Sequence, residues 1–471
     1  MRIQNLLKYY LGLLCMSFFN ILSTELYAQE IILPSSTQVD WQRAELGAVF
    51  HYDLHVFDGV KYNQSKNRLM PVQDIQIFNP SKLDVEQWVL SAKAMGAKFA
   101  IITATHETGF ALFPSKYNPY NISQLNYKDG KADLVKDFVQ ACRKHDIKPG
   151  VYLGIRWNSF FGVHDFRVQG DGEMQENRQA HYNLMAEGMV EEICSNYGEL
   201  FEIWFDGGAS HPDKGAPDVL PIVKKLQPNC LFYHNDQLAQ ARWAGSESGT
   251  VGYPNWSTFP FNFTGSGESA PAEISKNKYH LLKHGDADGK YFVPAMSDAP
   301  LRGHNGRHEW FWEPGDENSV YPLADLVDMY LKSVGRNSTL ILGITPDTSG
   351  LVPAGDFKRL EEFGKEINRL FDNPIAKVNS DGLIAVIKNE KKIPVTHIML
   401  QEDIAYGHRI MEFAVEVKMG KSWKIIDSGT AVGHKYIKKL EMPIIANNWR
   451  VRVTSSRATP KIINFSLYSN K

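Results

Sequence analysis

Between about residues 46 and 371 the chain alternates short β-rich runs with helical stretches, and no other feature restricts its fold as much. Residues 47–52, 98–103, 149–155, 201–205, 230–234 and 339–344 read as strands; 84–95, 132–145, 176–197, 219–226, 322–334 and 357–371 read as helices. Units of β then α at this spacing call for parallel strands joined by crossover helices. Over such a length the expected architecture is α/β, a (β/α)8-like TIM-type barrel, irregular between residues 250 and 320, where strands are hard to find.

The last hundred residues change character. Short Val- and Ile-rich runs at 383–387, 396–400, 413–417, 423–426, 450–453 and 462–467 are separated by polar breaks, the pattern of an antiparallel β-sandwich. The boundary is expected at Asp372-Asn373-Pro374, because a helix rarely runs through the residue before a proline. At the other end, Arg2 and Lys8 precede an apolar run at 11–22, and Leu26-Tyr27-Ala28 offers a small residue for cleavage. The expected organisation is a signal peptide at 1–28, a catalytic barrel at 29–373 and a sandwich at 374–471. The apolar run, roughly a dozen residues, is short for a bilayer span, so the mature chain is expected to be exported, periplasmic or secreted, with no membrane span. Leu14 before Cys15 is bulkier than the small residue a lipoprotein cleavage site wants, which disfavours a lipid anchor.

Without the leader, Cys142, Cys194 and Cys230 remain, an odd set with no Cys-x-x-Cys pair, and they read as buried thiols. A net charge of −2 gives no basic footprint for nucleic acid. Ten Trp and twenty Tyr suit clefts that meet flat, partly apolar sugar faces, although aromatic residues also fill cores. His51 and His55 have a spacing that suits one metal only on a helix, and His304 and His308 lack an acidic or thiolate set, so no metal is expected. No glycine-rich phosphate loop follows a strand, so nucleotide cofactors are not indicated.

The loop face of a barrel collects reactive side chains at strand ends. Glu202-Ile203-Trp204-Phe205-Asp206-Gly207-Gly208 ends an apolar strand on an acid, which makes Asp206 the first candidate, with a turn aspartate as the plain alternative. His51, His106-Glu107, Arg156-Trp157 and Asn235-Asp236 stand at other strand ends. Each alone could be a core histidine, a cap or a solvated charge; the joint placement favours a site. A second carboxyl comes from Arg242-Trp243-Ala244-Gly245-Ser246-Glu247-Ser248-Gly249, where a glutamate against an indole can keep its proton. An ionised Asp206 facing a protonated Glu247 is a glycosidase arrangement.

The combination resembles glycoside hydrolase family 29, the α-L-fucosidases, over nearly the whole mature chain. Phe50-His51, the stretch with His106, Gly109-Phe110 and Pro114-Ser115-Lys116, and Trp204-Phe205-Asp206-Gly207 are similar to family motifs, as are Ser333-Val334-Gly335-Arg336-Asn337 and Gly343-Ile344-Thr345-Pro346-Asp347. Asp236 and Arg242-Trp243 with Glu247 resemble the branch acting on α-1,3/1,4-linked, Lewis-type fucose, as do Leu400-Gln401-Glu402-Asp403-Ile404-Ala405 and Ser456-Arg457-Ala458. The resemblance implies retaining hydrolysis of a terminal α-L-fucosyl bond in an oligosaccharide or glycoconjugate, with Asp206 as nucleophile, Glu247 as acid/base and no cofactor. It further implies that His51, His106 and Arg242 hold sugar hydroxyls and that Trp157, Trp243 and Trp310 face the ring or its methyl group.

Several positions depart from the family pattern. Its paired histidines become His106-Glu107 followed by Thr108 in place of its acid, its His-Trp-Gly strand end is His51-Tyr52-Asp53, and its Pro-Ala-Glu-Cys-Asp segment reads Pro294-Ala295-Met296-Ser297-Asp298. A pocket that satisfies a different hydroxyl pattern rejects the wrong sugar strongly. The glycone is therefore expected to be L-fucose or a relative, L-galactose or a substituted fucose, with Glu107 among the residues that choose. A carbohydrate-binding protein without turnover is the competing class, and it has no need of both Asp206 and Glu247.

Overall fold

The computed structural model describes residues 31–235, 238–263, 279–306 and 310–469. Eight parallel strands build the barrel: β1 Leu46–Phe50, β2 Phe99–Thr105, β3 Lys148–Leu153, β4 Glu202–Ala209, β5 Leu231–Asn235, β6 Arg242–Trp243, β7 Ala295–Pro300 and β8 Ser338–Ile344. Their hydrogen-bonded order is β5-β4-β3-β2-β1-β8-β7-β6, a ring nearly closed between β5 and β6. β1, β2 and β8 are buried along their whole length, on both faces, which is why these segments read as continuous apolar runs. One set, including Val49, Ile101, Tyr152, Trp204, Tyr233, Met296 and Ile341, fills the barrel interior. Their neighbours Ala48, Phe50, Ile102, Val151, Ile203 and Phe205 pack outward in the larger core. Gly47 has no side chain because an added Cβ would lie 2.3 Å from the Phe99 ring inside the barrel.

Helices Val85–Ala94, Leu134–Lys144, Gly172–Asn196, Leu220–Leu226, Leu323–Lys332 and Ala354–Phe371 supply the crossovers, within a few residues of expectation. Neither β6 nor β7 is legible as a strand from its residues alone. β6 is two residues long, and Ala-Met-Ser-Asp-Ala-Pro in β7 lacks β-branched residues; its parallel register with 338–343 holds it in the sheet. Helix Ser36–Ala44 lies against the base of the barrel, started by a reciprocal capping box between Ser35 and Gln38. From it the Trp41 indole reaches Glu202 at the base of β4, 2.7 Å away.

The C-terminal part is an antiparallel β-sandwich of six strands, in the order Ala376–Ser380, Ile462–Tyr468, Ile384–Glu402, Tyr436–Ser456, Ile410–Met419, Ser422–Gly429. Register shifts in the two longest strands bend the sheet over a core of Ile398, Leu400, Val415, Trp449 and Phe465. Trp449 is wholly buried and belongs to that core, whereas Trp423 lies under the Arg450 guanidinium. Cys142, Cys194 and Cys230 are free and buried. Among the described residues no helix is long and apolar enough to cross a membrane.

Candidate active site

Side chains at alternate positions of a strand share a face, so Glu202, Trp204 and Asp206 succeed one another along the interior wall from base to mouth. At the mouth, Asp206 Oδ2 accepts from the Tyr152 hydroxyl at 3.0 Å and Oδ1 accepts from the Gly207 amide at 2.8 Å. Gly207 and Gly208 both have positive φ, 67° and 98°, so the chain turns away directly behind the carboxylate. An added Cβ at Gly207 would lie 2.6 Å from Arg156 Cδ and 3.0 Å from Trp157 Cζ3, which places the Trp157 ring against the residue that follows Asp206.

His51 continues the interior face of β1, and His106 follows β2. The two rings meet edge to face at 5.4 Å; His106 stacks on Tyr152 at 5.3 Å, and His51 lies 5.0 Å from Trp310. Gly343 makes room for that indole, since a Cβ there would sit 2.4 Å from the ring. Burial holds His51 down to about 3, and burial followed by the His51 charge holds His106 well below the usual histidine range. Both are therefore neutral hydrogen-bonding groups at ordinary pH, and their Nδ1 atoms have no partner among the described residues.

The Glu247 loop is pinned to β7 at both ends: the Ala244 amide donates to the Met296 carbonyl at 2.9 Å and the Gly249 amide to that of Asp298 at 2.7 Å. Glu247 is half-buried at its crest. The Trp243 indole donates to Asp298 at 2.8 Å, and Asp298 is pushed well above the carboxylate range by burial, then by the charges of Glu247 and Asp206. Asp298 is thus a third carboxyl of the mouth, standing in the sequence only as the last residue of the Pro294–Asp298 segment. Strand alternation was the available signal, because Met296 faces the interior and Asp298 follows it by two.

One expectation needs correcting. Arg242 does not reach the cleft: it is wholly buried, and its guanidinium donates to the carbonyls of Leu282, Val293 and Trp256 and to Asn255 Oδ1. Adjacent strand residues face opposite sides, so once Trp243 points inward Arg242 points away. Glu107 does stand at the site, but its Oε2 accepts from Tyr62 at 2.9 Å and its Oε1 from Arg68 Nε at 2.7 Å. Burial raises Glu107, opposed by Arg68. Asp236 lies outside the described residues. Of the departures, Tyr52 packs against Trp88 at 5.0 Å in the outer core, away from the mouth. Those at Asp53 and Thr108 meet each other, the Thr108 hydroxyl donating to the Asp53 carboxylate at 2.7 Å.

The alpha-L-fucosidase family profile matches residues 14–369. A candidate alpha-L-fucosidase from Bacteroides thetaiotaomicron VPI-5482, known by its crystal structure, is 53% identical over 94% of this chain and 100% of its own, with a TM-score of 0.91. A glycoside hydrolase 29 family member from an unknown rumen bacterium is 29% identical over 93% of this chain and 77% of its own, with a TM-score of 0.76. Alpha-L-fucosidase 1 of Arabidopsis thaliana is 28% identical, covering 93% of this chain and 88% of the plant protein. A mouth lined by carboxyls and neutral histidines agrees with that match, and the chain belongs to the alpha-L-fucosidase family of glycoside hydrolases.

Proposed function

We propose that the chain is an exported, retaining exo-α-L-fucosidase that works by double displacement on α-1,3/1,4-linked, Lewis-type fucose. The observation that carries the reading is Asp206, half-buried at the end of β4 and oriented by Tyr152 and the Gly207 amide. Each carboxylate oxygen keeps a lone pair after those bonds. One attacks C1 of the fucosyl group as the C1–O bond to the leaving sugar breaks, and Glu247 gives its proton to the departing oxygen. Water then attacks C1 of the glycosyl-enzyme; Glu247 takes its proton, Asp206 leaves, and L-fucose departs with its anomeric configuration kept. His51 and His106, neutral, hold hydroxyls, and Trp310, Trp157 and Trp243 wall the ring. The Lewis-type preference rests on the resemblance at Glu247 and in the C-terminal segments, and export rests on the leader at 1–28.

The test is fucose release from Lewis-type oligosaccharides and an aryl α-L-fucoside. Wild type is expected to release fucose first seen by NMR as the α anomer, and Asp206→Asn to lose turnover by on the order of 10⁴-fold or more. Release of the β anomer refutes retention. Absence of fucose release from every substrate refutes the glycone.

A further inference from the structure

Each oxygen of Glu107 accepts from a protein donor, and one of those donors, Arg68, has N–H groups to spare. Arg68 follows the short helix Gln64–Asn67 in the segment between β1 and the Val85–Ala94 helix. Its Nε is spent on Glu107, and its guanidinium lies 3.6 Å from the centre of the Trp157 ring. Trp157 in turn rests on Gly207, beside Asp206. Both Nη nitrogens lack an acceptor among the described residues, and the side chain is 21% exposed, so their N–H groups open to solvent at the mouth. A guanidinium fixed along one edge and across one face is a preorganised donor.

The ring order fixes which part of a substrate it meets. In the sequence β5-β4-β3-β2-β1-β8-β7-β6, β2 and β6 are four steps apart, on opposite sides of an eight-stranded ring. The Glu247 loop follows β6, and Glu107, which anchors Arg68, follows β2. A leaving group must stand on the side of its proton donor, so the opposite wall meets the sugar that becomes bound to Asp206. The surrounding charge favours a neutral partner: Glu107, Asp206 and Asp165, which pairs with Arg156 at 2.7 Å, outnumber the two arginines on Trp157.

We propose that the Nη edge of Arg68, held by Glu107, Tyr62 and Trp157, donates hydrogen bonds to hydroxyl oxygens of the glycone and is a specificity-determining residue of this site. Glu107 is then a positioning residue, acting through Arg68. This rests on the roles assigned above to Asp206 and Glu247.

The experiment compares wild type, Arg68→Met, Arg68→Lys and Glu107→Gln, each checked for an unchanged melting temperature. Steady-state kinetics on an aryl α-L-fucoside and on a Lewis-type trisaccharide are joined by L-fucose binding in the Asp206→Asn background. Arg68→Met is expected to lose on the order of 10- to 100-fold in kcat/KM, equally on both substrates, with a matching loss of L-fucose affinity. Arg68→Lys should recover part of both, and Glu107→Gln should lose less than Arg68→Met. Unchanged kinetics and fucose affinity in Arg68→Met overturn the proposal. So does a loss confined to the trisaccharide, which would place Arg68 on the leaving sugar, or a loss confined to a sulfated fucoside, which would make it an anion site. Wild type inactive on every fucoside and unable to bind L-fucose would instead refute the fucosidase reading itself.

Discussion

Strand β4 carries two carboxyls, Glu202 at its base and Asp206 at its mouth, and the same strand face gives them opposite surroundings. Glu202 is wholly buried, takes one bond from Trp41, leaves Oε1 without a partner among the described residues, and is pushed up to about 8 by burial. It is a neutral acid in a closed core at neutral pH. Asp206 is half-buried and takes donors from Tyr152 and Gly207 at the mouth of the barrel. Position along the barrel axis, rather than residue type, separates the buried acid from the one that the proposed function assigns to chemistry.

The largest effect should come from exchanging which end is damaged. Asp206→Asn is expected to remove turnover while shifting the melting temperature by no more than about 2 °C. Trp41→Phe should do the reverse, leaving Glu202 buried without its donor at a cost of about 1–3 kcal/mol, with kcat/KM within about twofold of wild type. Calorimetry and kinetics on both variants check this. A Trp41→Phe enzyme that loses activity in proportion to Asp206→Asn would break the division between base and mouth.

A smaller effect tests the mouth alone. Gly343→Ala puts a methyl group where the Trp310 ring lies, and His51 rests on that ring. Moving the indole should cost on the order of 10-fold in kcat/KM, chiefly through KM, with little change in melting temperature. Full activity would show that Trp310 does not wall the sugar.

The same comparison explains what the sequence made legible. Six barrel strands were apparent because strands buried on both faces must be apolar runs, and Asp206 stood out as an acid at the end of one. β6 and β7 were hidden because neighbouring strands, not intrinsic propensity, hold them in the sheet, and Asp298 was hidden with them. Arg68 and Tyr62 sit in an irregular segment with no periodicity to read, and only three-dimensional closure brings them to Glu107. The resemblance set Arg242 on the sugar hydroxyls, but adjacent strand residues face opposite sides, and with Trp243 inward the Arg242 guanidinium is spent on carbonyls of the core.

The finest test is of charge at the base. Glu202 holds its proton in the folded chain up to about pH 8, whereas an unfolded glutamate releases it near 4.5. Between those values the folded state binds more protons, so this carboxyl's contribution falls as pH rises, by at most about 1.4 kcal/mol per pH unit. Glu202→Gln keeps an acceptor for Trp41 and has no proton to lose. The difference in unfolding free energy between variant and wild type should therefore grow in the variant's favour from pH 5 to pH 7.5, by up to about 3 kcal/mol, measured by urea unfolding at each pH. Other buried acids, Glu402 among them, titrate alike in both proteins and cancel in that difference. A difference that does not change with pH would mean that Glu202 is ionised in the folded barrel, and the base would then share the mouth's electrostatics rather than oppose them.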